Sequence, residues 1–555
     1  MTSAASDLRG PALDPAHVGD IRGALGTIAA DDVAARSTAT AKLKTLLAIV
    51  GPGLIVMVGD NDAGAFSTYG QAGQDYGTRL LWTFVLLIPV LYVNQEMVLR
   101  LGAVTGVGHA RLILERFGRF WGAFSVIDLF LLNALTIVTE FIGVTLAAGY
   151  LGVPKIVAVL LAALVIIASA MTGSFRRFER IAMAFCAGSL LLIPVYLLAH
   201  PSAGQMASGF VVPSMPGGSG QLATVMLLII GIVGTTVAPW QLFFQQSYVI
   251  DKRITPRFIP YEKADLVIGI AVVIVGGAAI MGSMTVAFAG SPAAGHFTDA
   301  AGLAAGLAAY AGKAAGALFA VALLDAAMIG AFAVSLSTAY ALGDVLGLKH
   351  SLHRGVRHAK GFYVMYAALI AGAATIVLIP GSPLGLFTEG VQVLAGVLLP
   401  SATVFLLMLC NDRAVLGPWV NGRLTNAFAG AVIAMLIMLS LILIASVVFP
   451  GITARQIIMI MTSCAAVAVV VGAALLAQRR RAAAEGADPV GLDAQGRAES
   501  GSRASKESWR MPRLAMLAPA PMSALRRIGM TGMWVYLAIA MAAVVFKIIE
   551  VAIGH

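Results

Sequence analysis

The sequence predicts an all-α membrane protein that crosses the bilayer about twelve times and repeats a set of five helices in inverted orientation. Of its 555 residues, 59% are hydrophobic and only 12% are charged, with a mean hydropathy of +0.90. Soluble domains carry about a quarter charged residues. Long apolar stretches recur along the chain, and two of them are interrupted at mid-span by residues that do not suit a lipid-facing helix. These features exclude soluble enzymes and nucleic-acid-binding proteins as first interpretations.

Twelve apolar stretches are each long enough to cross a hydrocarbon core of ~30 Å as a helix. A thirteenth candidate, at 531–553, either spans the bilayer, the interpretation we favour, or lies as a helix in its interface. The twelve predicted spans lie near 45–74, 80–101, 120–150, 154–173, 178–199, 221–250, 264–289, 314–345, 360–380, 384–410, 425–449 and 454–477.

Polar segments divide the chain. The first segment lacks the apolar core and cleavage site of a secretory signal peptide, and a later one begins Arg479-Arg480-Arg481 and is rich in Ala, Gly and Ser. Three cysteines lie in apolar stretches without a CxxC pair, so we expect buried hydrophobic side chains rather than a disulfide or a metal site. The predicted parts are a cytoplasmic N-terminal tail (1–43), a ten-helix inverted-repeat transport core (44–410), two additional transmembrane helices (411–478), a flexible cytoplasmic linker (479–530) and a C-terminal apolar helix (531–555).

Positive charge alternates between the connections. The connections after spans two, four, six, eight and ten carry Lys and Arg, whereas 200–220 and 381–388 carry none. Because short cytoplasmic loops are enriched in Lys and Arg, this pattern predicts a multi-pass protein of the plasma (inner) membrane with a cytoplasmic N-terminus. The net charge of +10 is therefore interpreted as a topology signal.

Span one contains an acidic interruption, Gly59-Asp60-Asn61-Asp62-Ala63-Gly64. Two carboxylates at mid-depth are costly unless they face a cavity or a partner, and the glycines permit unwinding. Carbonyl oxygens freed by unwinding, together with the Asp60 carboxylate, are hard ligands that suit Mg²⁺, Ca²⁺ or Mn²⁺. Asp62 is equally suited to capping the second half of the helix.

Span six is interrupted near the same depth, where it reads Thr235-Thr236-Val237-Ala238-Pro239-Trp240-Gln241. Matched breaks in spans five apart predict an inverted repeat with a substrate site between the breaks; two unrelated kinks are the alternative. Gln241 and Gln245 share one helix face, where they bind water of a hydrated ion or make hydrogen bonds between helices. Trp240 either shapes the cavity or packs against a neighbouring helix.

These breaks and two further motifs resemble those of the NRAMP divalent-metal transporters over about 45–410. Arg100-Leu101-Gly102-Ala103-Val104-Thr105-Gly106 follows span two, and Gln392 precedes Leu399-Pro400 in span ten. The resemblance implies the amino-acid/sodium symporter-like fold and a metal site between the breaks. The family motifs are Asp-Pro-Gly-Asn in span one, which Asp60 begins here, and Ala-x-x-Met-Pro-His in span six. The residues that depart from them are Asn61, Asp62 and Ala63 in the first motif and Thr235, Ala238 and Trp240 in the second.

The departures imply a different ion. The family's Asn amide and Met sulfur become methyl groups here, at Ala63 and Ala238, and a roomier site without sulfur suits Mg²⁺, which keeps several waters. The motifs resemble those of the NRAMP-related magnesium transporter branch. The resulting candidate metal-binding set is Asp60, Asn61, Asp62, Ala63, Thr235, Ala238, Trp240, Gln241, Gln245 and Gln392.

The resemblance also bears on proton coupling. The family's span-six His pair falls on Trp240 and Gln245, neither of which titrates near neutrality. In span three, Glu140 matches one family acid, but Gly143 stands where a second is expected, and the predicted ninth span contains no Arg. Together these replacements predict uptake without protons.

The predicted function is therefore transport of divalent cations, Mg²⁺ and also Mn²⁺, by alternating access. No cofactor is expected; the partners are the transported cation and the lipid bilayer, not nucleic acid, and the oligomeric state is left open. One alternative is a proton-coupled Mn²⁺/Fe²⁺ symporter, and a second is a sodium-coupled symporter of small organic solutes. An enzyme is disfavoured because the sequence has no nucleophile–base pair and no HExxH motif.

Overall fold

The apolar stretches fold as helices, and the only strands in the described part of the chain are two of two residues each. A computed structural model describes residues 15–216, 222–379, 384–449, 452–484, 506–507, 509–520, 529–539 and 542. The strands are β1 (Ile21–Arg22) and β2 (Thr27–Ile28), and the helices are α1 (Ala39–Ile49), α2 (Pro52–Val58), α3 (Ala63–Tyr76), α4 (Trp82–Thr105), α5 (His109–Phe117), α6 (Arg119–Tyr150), α7 (Lys155–Ala170), α8 (Phe175–Gly188), α9 (Leu192–Ala199), α10 (Ala203–Val211), α11 (Leu222–Thr236), α12 (Pro239–Asp251), α13 (Ile259–Phe288), α14 (Ala300–Ala311), α15 (Lys313–Leu346), α16 (Lys360–Val377), α17 (Leu384–Cys410), α18 (Arg413–Leu416), α19 (Arg423–Val448), α20 (Ala454–Ala484) and α21 (Gly529–Ile539).

Each of the twelve predicted spans coincides with one, two or, in span one, three helices. By length and composition, ten helices within the described ranges can cross a membrane, or eleven if α1 and α2, bent by 53°, form one span. The smaller count has two causes: α7 in span four has only 16 residues, and span one is divided into short helices. Most of the predicted stretch at 531–553 lies outside the described residues.

Spans one and six are both divided near the middle of their length. Span one breaks between α2 and α3, and span six between α11 and α12. The halves pack together: α3 contacts α11, α2 contacts α12, and α13 lies along both α2 and α3. The long helices α6 and α15 pack against each other and against α3, and α17 packs against α11. The polytopic all-α fold with matched broken spans is therefore as predicted.

The segment before α1 is folded against the helix bundle. β1 and β2 form a small antiparallel hairpin, and the Ala24 amide donates to Glu179 Oε2 at 2.5 Å. Arg176 and Arg253 donate to backbone carbonyls of the same segment, those of Gly23 and Ala16. The connections after spans four and six therefore lie on the same face as the N-terminal segment. We call this surface the N-terminal face.

Part of the predicted flexible linker also contacts this bundle. The Ala520 amide donates to the Arg116 carbonyl at 2.8 Å, and the indole of Trp419 donates to the Lys506 carbonyl at 2.8 Å. The ammonium of Lys506 lies over the Trp419 ring, 4.4 Å from its centroid. The described parts of this stretch, 506–507 and 509–520, therefore contact the connections after spans two and ten.

Candidate metal site

The first break is a short turn between two helices. The helix α2 ends at Val58, and the amides of Asp60 and Asn61 donate to Met57 O and Val58 O, at 3.2 and 3.1 Å, before α3 begins. Asp62 caps α3, because its Oδ1 accepts from the Ala65 amide at 2.8 Å. Of the two roles predicted for Asp62, capping is the one its side chain performs in this structure.

Asp60 lies at the centre of this turn and is fully buried. Neither of its carboxylate oxygens has a hydrogen-bond partner within the described ranges. A carboxylate in such a position is expensive unless a cation, a proton or water compensates it. This side chain is therefore the strongest candidate ligand at the two breaks.

The second break faces the first. The helix α11 ends at Thr236, Ala238 is extended, and Pro239 occupies the first turn of α12, where its missing amide costs nothing. The indole of Trp240 lies over Gly59, with its Cη2 3.2 Å from the position that a Cβ would take. Trp240 is therefore a wall between the two breaks, and Gly59 is small because the ring occupies the adjoining space.

Gln392 joins both breaks from α17. Its amide lies against Gly64 at the start of α3, and its backbone carbonyl lies against Gly234 in α11, so that a side chain at either glycine would collide with it. The Gln392 Nε2 has no partner among the described residues. Thr235, beside Gly234, likewise has a buried hydroxyl without a partner in the described part of the chain.

The two glutamines of α12 differ in their surroundings. Gln241 is held at both ends of its amide: its Nε2 donates to Thr236 O at 3.1 Å, and its Oε1 accepts from Gln95 at 2.8 Å. Gln245 is fully buried, and neither its oxygen nor its nitrogen has a partner within the described ranges. The same residue type, four positions apart, is therefore structural in one case and unsatisfied in the other.

Two predicted residues have side chains that contact helices outside the two breaks. The Asn61 amide donates to Val273 O on α13 at 3.2 Å, and Asn61 lines a small cavity with Asp325 of α15. The methyl group of Ala63 packs against Gly143 of α6. Only the backbone amide of Ala63 enters the polar site, where it donates to Glu140 Oε2 at 3.2 Å.

Glu140 brings a third buried carboxylate to the region of the breaks. Its Oε2 and the Cβ of Asp62 both lie against Gly330 of α15, and its Oε1 has no partner within the described part of the chain. Among the residues that the structure describes, no three His, Cys, Asp or Glu side chains are grouped so as to hold a metal ion.

Sequence reasoning missed two residues that position the site, Tyr69 and Gln95. The Tyr69 hydroxyl meets the Thr236 hydroxyl at 2.7 Å and so joins the two broken spans, and Gln95 of α4 holds Gln241. A polar residue at mid-span is the signal that could have identified Gln95. Tyr69 carried no comparable signal, because an aromatic residue in an apolar helix is most often core.

Comparison with known proteins identifies the family. The profile of the Nramp family, described as natural resistance-associated macrophage protein-like, matches residues 53–446. The chain belongs to this family. A divalent metal cation transporter, MntH, of Ralstonia nicotianae is 30% identical over 413 residues, covering 71% of this chain and 89% of that protein. MntH 1 of Pseudomonas aeruginosa is 28% identical over 413 residues, covering 71% of this chain and 90% of that protein.

A solved structure shows the same fold. A mutant of the Eremococcus coleocola manganese transporter superposes with a TM-score of 0.60 at 21% identity, over 81% of this chain and 96% of that one. In the present chain, Met57 carries the sulfur nearest to the first break in sequence, and its side chain packs through Cβ and Cγ against Gly269 of α13.

Proposed function

We propose that the protein carries divalent cations across the membrane by alternating access, with Mg²⁺ preferred over Mn²⁺ and without movement of protons. Asp60 carries the proposal: it is a fully buried carboxylate between two broken helices, and both of its oxygens lack a partner in the described structure. Relatives named as divalent metal cation transporters support the cation class. The cation is cargo, and no cofactor takes part in the proposal.

The preference for Mg²⁺ is supported by what surrounds Asp60. Ala63 directs its methyl group to Gly143, and Ala238 offers no side-chain ligand. The side chain of Met57 packs through its Cβ and Cγ atoms against Gly269 of α13. Carboxylate, carbonyl and amide oxygens are left to face the ion. Thioether sulfur favours softer metals, whereas Mg²⁺ is bound through oxygen and retains water. On this ground we propose that the chain belongs to the NRAMP-related magnesium transporter branch.

The absence of proton coupling is the second part of the proposal. The positions of the family's His pair hold Trp240, which is a wall of the site, and Gln245, which does not titrate. Glu140 is engaged through one oxygen by the Ala63 amide. An inside-negative potential of 100 mV alone contributes ~4.6 kcal/mol to the entry of a divalent cation.

The proposed orientation places the N-terminal face in the cytoplasm. Arg176, Arg253 and Arg257 lie on that face, and cytoplasmic loops are enriched in such residues. The protein would then reside in the plasma (inner) membrane with its N-terminus inside.

One flux experiment tests the whole proposal. Purified protein is placed in liposomes that contain a divalent-sensitive dye or a pH dye, and Mg²⁺ is titrated against Mn²⁺ uptake. We expect Mg²⁺ to compete with Mn²⁺ and the luminal pH to stay constant during influx. Mn²⁺ uptake that ignores excess Mg²⁺ and acidifies the lumen would replace this proposal with a proton-coupled Mn²⁺ symporter.

A further inference from the structure

A second group of unsatisfied polar atoms lies one helical turn from the candidate metal site. Both oxygens of Glu262 and both polar atoms of the Gln245 amide are buried without a hydrogen-bond partner within the described ranges. The Gln245 amide lies beside the Glu262 carboxylate but outside hydrogen-bond geometry. Buried polar groups are nearly always satisfied, so several facing orphans point to a missing occupant.

The same region has more negative than positive charge. The Glu262 carboxylate lies close enough to Asp265 and Glu179 to be influenced by their negative charges, and Lys252 is the cation that acts on it. All four side chains are fully buried. Lys252 is paired with Glu179 at 2.7 Å, whereas Glu262 has no such pairing among the described residues. An uncompensated carboxylate at this depth favours the entry of a further cation.

The cluster also controls the start of the broken span one. The Lys252 ammonium donates to Ile49 O at 2.6 Å and to Val50 O at 2.8 Å, at the bend between α1 and α2. Asp265 accepts from the amides of Gly51 and Gly53, at 3.1 and 2.7 Å. These bonds hold the start of α2 in place, at its end nearer the N-terminal face.

The cluster lies on the way from the metal site to this face. Gln245 follows Gln241 by four residues on α12, and four residues of helix advance ~6 Å along its axis. The helix then runs to Asp251 and Lys252, where the N-terminal segment is bound. A cation that leaves Asp60 along α12 therefore meets Gln245 and Glu262 next.

We propose that Glu262 and Gln245 form a release site for a divalent cation, and that a cation bound there loosens the hold of Lys252 on α2. The ligands are oxygen atoms, which suit a hard divalent ion with part of its water. Repulsion between this ion and the Lys252 ammonium weakens the bonds to Ile49 O and Val50 O. The arrival of the cargo thus promotes opening towards the N-terminal face. This inference rests on the proposed function.

The first test separates charge from shape. Glu262→Gln keeps the shape of the side chain and removes its charge, Glu262→Asp keeps the charge, and Glu115→Gln, on the partly exposed helix α5, is the matched control for loss of one carboxylate. In liposomes with saturating Mg²⁺, we expect Glu262→Gln to slow flux about tenfold, the size of a typical coupling effect. Glu262→Asp should retain most of the flux, and Glu115→Gln all of it. Unchanged flux in Glu262→Gln would overturn the release site.

The second test does not depend on transport. Mn²⁺ alone is titrated into the purified full chain and the bound ion is counted by electron paramagnetic resonance. We expect Asp60→Ala to keep one weak site that the double variant Asp60→Ala/Glu262→Gln loses. If Asp60→Ala binds no Mn²⁺, or the double variant binds as much as Asp60→Ala, the release site is refuted. A wild-type protein that binds Mn²⁺ but carries neither cation would instead refute the proposed function and leave this site standing.

The third test measures the opening itself. A single reporter, Ile49→Cys, is placed in a background in which the three native cysteines are replaced by serine or alanine, and its labelling by a water-soluble maleimide is followed. Mg²⁺ should raise the labelling rate about fivefold or more when Glu262 is intact, and should leave the rate unchanged with Glu262→Gln. An equal effect of Mg²⁺ in both proteins would contradict the coupling between this site and α2.

Discussion

Lys252 donates to Glu179 across 2.7 Å, and neither side chain is exposed. The two residues lie at the ends of different spans, 73 positions apart. Each also binds backbone: Lys252 the carbonyls before α2, and Glu179 the Ala24 amide of the N-terminal segment. The pair therefore joins the start of the broken span one to spans five and six and to the N-terminal segment.

The first prediction concerns this pair. Removing one partner of a buried ion pair leaves an uncompensated charge, so Lys252→Met and Glu179→Leu should each destabilise the protein by about 3–5 kcal/mol. The double variant Lys252→Met/Glu179→Leu should lose less stability than either single variant. Thermal unfolding in detergent, followed by tryptophan fluorescence, measures the three changes. Losses that simply add in the double variant would mean that the two residues do not act as a pair.

The pair illustrates what the sequence could and could not predict. The helices and their breaks were predictable, because apolar runs, Gly59, Gly64 and Pro239 are local signals of span and interruption. Lys252 and Glu179 resembled ordinary charges at the ends of spans. Their burial depends on which helix ends meet in space, and no local pattern contains that information. The β1–β2 hairpin escaped prediction because strands of two residues have no measurable periodicity.

The site shows the same limit. Asp60 was identifiable from its depth alone, but the direction of Asn61 was not: its amide turns to Val273 O because α13 offers an acceptor there. Likewise, Gln241 and Gln245 have the same residue type and share one helix face. They differ because Gln95, from a helix far away in sequence, reaches one and not the other.

The second prediction concerns pH. Burial alone would lower the pKa of His350, but the charge of Asp344 and the hydrogen bond to its carboxylate, at 2.8 Å, outweigh burial and raise the pKa to about 9 from the ordinary 6.5. The folded state therefore favours the charged imidazole. The resulting stability, at most ~3 kcal/mol, is fully present below about pH 6.5 and is lost as the pH rises through about 9.

Thermal unfolding between about pH 6 and pH 9.5 checks this prediction. The wild-type protein should become less stable across this range, and His350→Gln should show a flatter profile. His296→Gln, in an exposed connection, is the control and should follow the wild type. Parallel profiles for the wild type and His350→Gln would show that the Asp344–His350 pair does not supply the pH dependence.

The third prediction concerns the principal ligand. Asp60→Ala should abolish uptake of both Mg²⁺ and Mn²⁺ while the protein still elutes as a single folded species, because the carboxylate makes no structural hydrogen bond within the described ranges. Asp128→Asn is the matched control: Asp128 is also buried in a span, but it lies against Ser401 at 3.3 Å. Uptake by the control should persist. Full Mg²⁺ flux after Asp60→Ala would place the ion elsewhere.

The last prediction concerns selectivity at Ala238, on the extended turn before Pro239. A methionine there adds a thioether beside the first break, and sulfur stabilises Mn²⁺ more than Mg²⁺. Ala238→Leu is the matched control, since leucine has a similar volume and no sulfur. In competition assays, Ala238→Met should shift preference towards Mn²⁺ and away from Mg²⁺, whereas Ala238→Leu should reduce the transport of both.

Adding Ala63→Asn to Ala238→Met should increase the shift of preference towards Mn²⁺ only slightly. The Ala63 methyl group faces Gly143, and a longer side chain there must turn past the backbone of α6 before it reaches the ion. A ligand without support of its own binds weakly. Titration of Mg²⁺ against Mn²⁺ uptake in the same vesicles compares the two single variants with the double variant. If Ala238→Leu shifts preference as far as Ala238→Met, volume rather than sulfur sets the selectivity, and the argument for an oxygen-only site that prefers Mg²⁺ fails.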